Sequence, residues 1–483
     1  MTPFSAIAFF PELVLLAGAL GLFVVTLGEK QGKAARAGAI FVSLVALGAS
    51  IVALPQSRVL FDGAYRIDAF SQWLKIVICA GYFFVLLLSG KLPDIRNETK
   101  AEYYLFLTLS VLGLTMLVSS VEVLSLIIAL ELSSFPLYLM VAMRREREGQ
   151  RVQMESAIKY VMFGVAANGI MFFGFSYLFG LTGSTHLPEM FAKLAPIATT
   201  PLAIVALTMA FAGFYYKLAI FPFHFWTPDV YQGASNETAG YIASLPKVGA
   251  VAVLVRLVSL ATPDNHSIAT LLSGLAILSM CYGNLIALVQ KDFKRLLGFS
   301  GIAHAGYAVV GFTAMNTAGY TAALYYIVGY LLMVTACFLV ICKVSKDGTN
   351  VAIEELSGLH RRSPLLALTL VVAVFGLAGI PPFVGFIGKF GLLSAALAKG
   401  HLALVIITVI NSAVAIYYYL QVVRKAVFGE KGIDAPAPEP LAIDLSTKIL
   451  CVLLLVGIVW FGVAPAPIMD AISSSLAGIN LPI

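Results

Sequence analysis

Six basic side chains of this 483-residue chain fall inside long apolar stretches, where water would not solvate them. They are Lys75, Lys159, Lys217, Lys247, Arg256 and Lys389. A charged Lys or Arg at the centre of a bilayer costs roughly 2.5 to 3.5 kcal/mol on insertion scales, so chains retain such residues mainly where they face protein, water or a counter-charge. We therefore expect the mid-depth lysines to face the protein interior, where titratable groups can hold and pass protons.

An acidic residue, Glu131, lies in the apolar stretch LIIALELSSFPLYLM, about ten residues from either end. Because a helix rises about 1.5 Å per residue, the carboxylate is expected near mid-depth, where it needs a partner. Lys217 is the predicted counter-charge. Such a pair would hold the lysine proton, and separating the two charges would release it.

Three of the lysines lie beside prolines that interrupt apolar runs. Lys217 comes five residues before Pro222, Lys247 directly follows Pro246, and Lys389 comes after Pro381 and Pro382. A proline inside a helix removes a backbone donor and crowds the preceding turn, which leaves carbonyls free to bind water or a cation. Snorkelling suits lysines near the ends of a span, and it fits Lys75 and Arg256 as well as an interior position does.

Two histidines and one further lysine could extend a relay. His304 lies in GFSGIAHAGYAVVG, at the centre of its span among small residues, and we expect a relay position there. For His224, seven residues after Lys217, a packed core position and a relay position are equally supported. Lys159 follows Glu155 by four residues, so a surface pair on one helix face and a relay role both remain open.

The composition requires that membrane helices carry these groups. The chain is 60% hydrophobic and 12% charged with a mean hydropathy of +0.93, which excludes an ordinary soluble or disordered protein. The amino-terminal stretch lacks a basic region and a cleavage site, and we expect it to be a retained first helix. Fourteen apolar segments are predicted, centred near Leu16, Val45, Gly81, Val111, Glu131, Asn168, Ala212, Ala250, Ile277, Ala305, Gly329, Ile380, Val414 and Leu455.

Charge and cysteine usage limit the possible ligands. The formal charge is +6, but the basic residues lie in loops beside apolar segments, so nucleic-acid binding is not expected. The five cysteines occur singly without CxxC spacing, which predicts neither a metal site nor an iron-sulfur cluster. Loops after odd-numbered segments hold 21 Lys and Arg residues and the opposite loops hold four. By the positive-inside rule, both termini are predicted to lie on the outer face, which is the periplasmic face where the membrane is a bacterial inner membrane.

The spacing of the segments predicts an all-α polytopic bundle with an internal repeat. Residues 1–102 form a three-helix segment, residues 103–262 and 263–429 form two five-helix units, and residues 430–483 form a loop and a last helix. The runs FPFHFW and IPPFVGF, with Pro222 and Pro381, are separated by nearly the length of one unit and fall in corresponding places of the two units. Inverted repeats with broken helices are typical of transporters.

Five ordered stretches resemble the antiporter-like membrane subunits of proton-pumping NADH:quinone oxidoreductase (respiratory complex I) and their Mrp antiporter relatives. They are ELSSFPLYLMVA, YKLAIFPFHFWTPDVYQGA, SLPKVGA, QKDFKRLLGFSGIAHAGY and GLAGIPPFVGFIGKF. The resemblance covers essentially the whole chain. It implies about fourteen transmembrane helices with two inverted five-helix repeats, each containing a broken helix.

The resemblance also implies a role for each matched residue. Glu131 and Lys217 would form the charge pair, Lys247 would connect the two units, His304 would lie on the central relay, and Lys389 would be the terminal group towards the outer face. M-type subunits carry Glu where this chain has Lys389, and L-type subunits add a lateral helix, so the chain looks like the N-type branch. NADH, FMN, iron-sulfur clusters and quinone would be bound by partner subunits, and no cofactor is expected on this chain, which shows no nucleotide or cluster motif.

Three rival functions remain open. An Mrp-type sodium/proton antiporter subunit would use almost the same residues without a redox partner. An independent transporter of an organic solute would place its site at the Pro222 and Pro381 breaks. A b-type haem protein would need His224 and His304 as paired axial ligands. The expected partners are the other membrane-arm subunits of complex I and the lipid bilayer.

Overall fold

The computed structural model describes residues 3–28, 31–147, 151–262, 265–428, 440–477 and 479. The described chain is helical apart from a single hairpin and its connecting loops. The loop predicted at the start of the segment 430–483 lies largely in residues 429–439, which are outside the described residues.

The amino-terminal segment packs three long helices beside a two-stranded hairpin. In the hairpin, β1 and β2 are antiparallel, and Arg58 lies opposite Ile67. A capping box formed by Asp68 and Ser71 begins the helix that follows, where the Asp68 carboxylate accepts from the Ser71 amide. The elements are α1 (Pro3–Ala8), α2 (Phe10–Thr26), α3 (Gly32–Ala53), β1 (Arg58–Leu60), β2 (Tyr65–Ile67) and α4 (Ala69–Ser89).

The middle of the chain contains three continuous helices and then several shorter ones. The elements are α5 (Lys100–Ser119), α6 (Val123–Ala142), α7 (Val152–Thr182), α8 (Leu187–Leu194), α9 (Pro201–Ala210), α10 (Ala212–Leu218), α11 (Trp226–Gly233), α12 (Asn236–Ala243) and α13 (Leu245–Val258). Helices α12 and α13 follow one another almost without interruption and together are wholly buried.

The last part of the chain also consists of long and short helices. The elements are α14 (His266–Ala287), α15 (Phe293–Phe312), α16 (Thr317–Val344), α17 (Leu359–Arg362), α18 (Pro364–Ala378), α19 (Val384–Ala398), α20 (Leu402–Phe428), α21 (Leu445–Val463) and α22 (Ala466–Leu476). Helix α16 packs against α15, α18, α19, α21 and α22, so it lies at the centre of this half.

Eleven helical segments of the described chain are long and apolar enough to cross a membrane. Three shorter apolar helices, α2, α18 and α19, accompany them. Large apolar side chains such as Leu20, Phe173 and Trp460 are exposed on the outside of the bundle, as a lipid-facing surface requires. The chain is thus an all-α, multi-pass membrane protein, as predicted, while the count of fourteen crossings stays a prediction.

Both predicted helix breaks are present, and their backbones match. Helix α10 ends before Ala219 and helix α18 ends before Gly379, and both of these residues have a left-handed φ, of 68° and 84° respectively. The next residue donates its N–H to the carbonyl five positions earlier in each case, Ile220 at 2.9 Å and Ile380 at 3.0 Å. The carbonyls at these helix ends are therefore capped in the same way.

The hydrogen bonds also define how the two breaks correspond. The N–H of Phe223 donates to Ile220, and that of Phe383 donates to Ile380. Pro222 therefore corresponds to Pro382, and not to Pro381 as the sequence pattern suggested. The sequence distance between the two corresponding breaks is thus one residue longer than the distance between Pro222 and Pro381. The inverted repeat of whole five-helix units remains a prediction.

Three basic or polar loops meet on one face of the bundle. On the face rich in basic residues, the Asp94 carboxylate accepts from Arg144 at 2.6 Å and from Arg147 at 2.7 Å, and Arg144 also donates to Asn350 at 3.0 Å. These bonds join the loops after α4, α6 and α16. We call this face the basic loop face.

The first and last described helices share the opposite face. Ala8 of α1 packs against Tyr65 and Ile67 of the hairpin, and Ile468 of α22 lines the same cavity as Trp73, near the start of α4. Helices α1 and α22 therefore lie on the hairpin side. That this side is periplasmic stays a prediction.

Candidate functional site

Lys217 lies at the end of α10 and is 5% exposed. Its ammonium donates to the hydroxyls of Ser133 and Ser134, the latter at 2.9 Å, and both serines belong to α6. The serines follow Glu131 by two and three positions in the stretch ELSSFP. Sequence reasoning singled out the acid and missed the hydroxyls, although small hydroxyl residues beside an intramembrane acid were a visible signal.

Glu131 is half-buried and accepts a hydrogen bond from the Asn168 amide of α7. Within the described chain it forms no ion pair with Lys217, so the predicted direct contact of the two charges is absent. Lys217 instead binds the two serines that follow Glu131 on α6. The two charges therefore meet the same stretch of α6 without forming an ion pair.

Lys247 begins α13 in the fully buried centre of the bundle and is 1% exposed. Its ammonium donates to the Gly301 carbonyl at 3.1 Å and lies 5.3 Å from the centre of the Tyr330 ring. No carboxylate pairs with it among the described residues. A carbonyl dipole and an aromatic face thus support the charge there, and both are weaker than a counter-charge.

His304 lies in α15, one turn from Gly301, and is held between two tyrosines. Its Nδ1 is 2.6 Å from Tyr326 Oη and its Nε2 is 2.9 Å from Tyr419 Oη. Its ring centre is 5.0 Å from that of Tyr330, the ring that Lys247 contacts. Both ring nitrogens therefore face hydroxyls that can donate and accept protons.

Lys389 lies in α19 and donates backwards into the break of its own apolar segment. Its ammonium reaches the carbonyls of Leu377 and Ala378, each at 3.1 Å, and Ser412 Oγ at 2.8 Å. These carbonyls end α18, where freed acceptors and the negative end of the helix dipole favour a cation. The carbonyls freed at this second break therefore bind the Lys389 ammonium.

Tyr307 lies between His304 and Lys389. The Lys389 ammonium is 4.7 Å from the centre of the Tyr307 ring, which is 5.7 Å from the His304 ring. We use the name relay row for Lys247, Tyr330, His304, Tyr307 and Lys389. The tyrosines were missed from the sequence, because an aromatic residue in an apolar helix reads as core until its neighbours are known.

His224 does not join this row. It is fully buried, and neither ring nitrogen has a hydrogen-bond partner in the described chain. Its neighbours are rings, with Phe225 and Tyr282 each 4.3 Å away between centroids. Of the two open interpretations, this geometry favours a packed aromatic position.

Lys159 also lies apart from the relay row, and its side chain is 38% exposed. It pairs with Glu155 at 2.6 Å, which is the helix-face pair considered above, and with Asp229 at 2.8 Å. Asp229 in turn pairs with Arg295 at 2.8 Å. When the two breaks are aligned so that Pro222 matches Pro382, Asp229 aligns with Lys389, because each lies seven residues after its proline.

The comparison with known proteins connects this arrangement to one family. A family model described as NADH:quinone oxidoreductase/Mrp antiporter, TM, matches residues 120–415, which hold Glu131, the three buried lysines and His304. The chain belongs to this family. Among the described residues, no cluster of three or more His, Cys, Asp or Glu side chains is placed to hold a metal ion.

Members of the family resemble the chain over its whole length. NADH-quinone oxidoreductase subunit N 2 of Opitutus terrae is 66% identical over 476 residues, which cover 99% of each chain. The protein of the same name from Syntrophobacter fumaroxidans is 40% identical over 469 residues, or 97% of this chain and 98% of that one.

Solved structures show the same fold. A chain of respiratory complex I from Thermus thermophilus is 29% identical, with a TM-score of 0.81 over 96% of this chain and 99% of that one. A chain of the Mrp complex from Dietzia has a TM-score of 0.86 at 19% identity, over 100% and 98% of the two chains, which shows a shared fold.

Proposed function

We propose that this chain is the N-type, proton-translocating membrane subunit of NADH:quinone oxidoreductase and couples quinone reduction on partner subunits to proton movement through the relay row. The observation that carries the proposal is the unbroken succession Lys247, Tyr330, His304, Tyr307 and Lys389 in the buried centre of the bundle. The identity to curated subunit N proteins supports the assignment to complex I.

The contacts of the lysines explain how they could exchange protons. Lys247 and Lys389 are bound by carbonyls, a hydroxyl and aromatic faces, without a paired carboxylate in the described chain. A charge held only by neutral dipoles responds strongly to a second charge that approaches through a low dielectric. Carrying one proton against about 100 mV costs roughly 2.3 kcal/mol, which is within reach of such an interaction.

Glu131 and Lys217, which lie outside the relay row, would form a charge switch. Lys217 is bound to Ser133 and Ser134 while Asn168 holds the Glu131 carboxylate. Movement of Glu131 towards Lys217 would tighten the lysine's hold on its proton, and the arrangement described here loosens that hold. In this proposal, the charge pair implied by the family resemblance is one state of the switch, and the separate binding of Glu131 and Lys217 is the other.

Partner subunits would supply the redox chemistry. NADH, FMN, the iron-sulfur clusters and quinone are assigned to them, and the other membrane-arm subunits would flank this chain within the bilayer. We place the protein in a bacterial inner membrane with the basic loop face towards the cytoplasm, because the order of apolar segments in the sequence assigns 21 basic loop residues to that side and four to the other. His224 and Lys159 are left out of the proposed relay, since neither touches the relay row.

An Mrp-type antiporter subunit is the second candidate, because the fold of this chain is also that of an Mrp complex chain. The same buried lysines would serve it. The two candidates differ in what copurifies from mild detergent. Quinone-reducing subunits would support complex I, and other antiporter subunits would support the alternative.

Lys217→Ala tests the central role in the assembled complex. We expect NADH-driven proton pumping in inverted membrane vesicles to be lost, and coupled quinone reduction to slow with it, since Lys217 supplies the cation that binds the two α6 serines. Lys399→Ala is the control, because Lys399 is exposed on the opposite loop face. Normal pumping by an assembled Lys217→Ala complex would refute the proposed function.

A further inference from the structure

A second buried carboxyl, Glu237, lies outside the proposed relay. It is in the first turn of α12, is 2% exposed, and its Oε2 has no hydrogen-bond partner in the described chain. The preceding residue, Asn236, donates its amide to the carbonyls of Gly348 and Thr349 at 3.4 and 3.2 Å, in a loop of the basic loop face. Glu237 therefore lies just beneath that face, between the loops and the buried centre.

No cation pairs with Glu237 in the described chain. The Lys294 ammonium is fully buried nearby but donates to the Ala234 carbonyl at 2.8 Å, where it caps the end of α11. Tyr103 Oη, on α5, is also without a hydrogen-bond partner among the described residues. The titratable groups that face Glu237 come from α5, α15, α16 and one loop, and they are Lys100, Tyr103, Tyr104, Lys294, Cys342 and Asp94.

A series of buried hydroxyls extends from Tyr241, about one helical turn after Glu237, to Ser133 beside Lys217. Tyr241 follows Glu237 by four residues, which places both on one face of α12. Tyr241 Oη donates to Ser110 Oγ at 2.8 Å, and Ser110 Oγ donates to the carbonyl of Ser133 at 2.6 Å. The hydroxyl of Ser133 in turn binds Lys217. These groups are all buried, so the series crosses from the loop side to mid-depth inside the protein.

We propose that Glu237 is a proton-binding site on the loop side that reprotonates Lys217 through Tyr241, Ser110 and Ser133. The inference rests on the proposed function, because it supplies the group from which the central lysine is reloaded. A structural explanation also exists, since an acid in the first turn of a helix is stabilised by the helix dipole. The orphaned oxygen and the hydroxyl chain are not explained by that role.

The step balances in protons. The neutral carboxyl of Glu237 loses its proton and becomes a carboxylate, each hydroxyl accepts one proton and donates one, and the neutral amine of Lys217 becomes an ammonium. Glu237 and Tyr241 are four residues apart on α12, a rise of about 6 Å along the helix axis, and the proposal places a bridging water between the carboxyl and Tyr241 Oη. The Ser110 hydroxyl turns from the Ser133 carbonyl to the Ser133 hydroxyl, and the Ser133 hydroxyl turns from the Leu130 carbonyl to the Lys217 amine. A proton from the basic loop face then restores the carboxyl.

The test compares Glu237→Gln, Glu237→Asp and Tyr241→Phe in the assembled complex, in inverted vesicles where the loop side faces the medium. We expect Glu237→Gln and Tyr241→Phe to slow proton uptake by about tenfold or more, since a positioned proton-transfer group typically contributes about 10²- to 10⁴-fold. Glu237→Asp keeps a carboxyl, and we expect it to retain uptake with a shifted dependence on medium pH. Glu122→Gln is the matched control, because Glu122 is buried at the start of α6 on the other face.

Each outcome decides the inference. Wild-type uptake in either Glu237→Gln or Tyr241→Phe overturns it, as does a Glu237→Asp profile that is unshifted and as slow as that of Glu237→Gln. If Glu237→Gln does not assemble, Tyr241→Phe alone decides by the same criterion. Wild-type uptake in these variants beside an inactive Lys217→Ala would remove only the role of Glu237, whereas wild-type pumping in Lys217→Ala would remove the proposed function itself.

Discussion

At the residue scale, the relay row depends on positions where a side chain is missing as much as on those that carry charge. Lys247 donates to the Gly301 carbonyl at a position where a side chain would crowd its ammonium. A Cβ there would lie 3.2 Å from the Lys247 ammonium and 3.1 Å from Tyr330 Oη. Contacts of that length oblige the neighbours to move. The glycine in GFSGIAHAGY therefore shapes the site although it carries no chemistry of its own.

Gly301→Ala should weaken proton pumping without preventing assembly. The added methyl group pushes the Lys247 ammonium from the Gly301 carbonyl and from the Tyr330 ring, and we expect a severalfold loss of pumping, equivalent to about 1 kcal/mol. Gly274→Ala is the control, since an added Cβ there meets nothing within 4 Å. Pumping rates measured on vesicles with equal amounts of complex decide the matter, and equal rates for the two variants would contradict the role of this contact.

At the element scale, the two broken helices carry the same cap but not the same charge. Both end in a left-handed residue followed by an isoleucine bonded five residues back. Lys217 precedes its break, whereas Lys389 follows its own and donates to the carbonyls of the broken end. The backbone is repeated while the charges differ, so each half can hold its cation on a different side of the break.

The left-handed residues should respond oppositely to exchange of Ala and Gly. Ala219 has φ 68°, a conformation that costs a residue with a Cβ about 1 kcal/mol, so Ala219→Gly should stabilise the complex. Gly379→Ala should destabilise it by at least as much, because φ is 84° and the new Cβ would lie 2.9 Å from Lys389 Cδ. Thermal unfolding of the two purified variants measures both effects. Shifts of the same sign would show that φ is not what sets them.

At the scale of the whole molecule, one buried ion pair holds the amino-terminal segment together and a second fastens it to the rest. Lys75 pairs with Glu12 at 2.7 Å, and Arg256 of α13 pairs with Asp68 at 2.9 Å, all of them essentially buried. Both cations are therefore interior residues rather than snorkelling ones. Breaking a buried pair leaves an uncompensated charge, which costs far more than replacing both partners.

Glu12→Gln should lower the yield of folded complex more than the double variant Glu12→Gln with Lys75→Met. The single change leaves the fully buried Lys75 ammonium without its carboxylate, a loss of about 3 to 5 kcal/mol, and the double change removes the charge as well. Yield and thermal stability in detergent are the measurements. The pumping rate per assembled complex should be unchanged in both, and a better yield from the single variant would contradict the pairing.

The sequence by itself showed that the chain lies in a membrane, and it indicated the fold class and the set of titratable groups. A mean hydropathy of +0.93 leaves only a membrane, and the cost of charge there turns Glu131, Lys217, Lys247, His304 and Lys389 into candidates. The proline breaks were also predictable, since they follow from local chemistry along the chain. The burial of the three lysines and of His304 was predictable for the same reason, while their roles in proton transfer stay predictions.

Only the tertiary structure decided which groups meet. Lys217 contacts serines rather than Glu131, His224 lies among rings, and Tyr330 and Tyr307 join His304 to the lysines on either side. These contacts join different helices, and helix packing brings together residues whose separation along the chain carries no information about distance. A polar side chain without water must find some partner, but hydrophobicity alone does not specify which one.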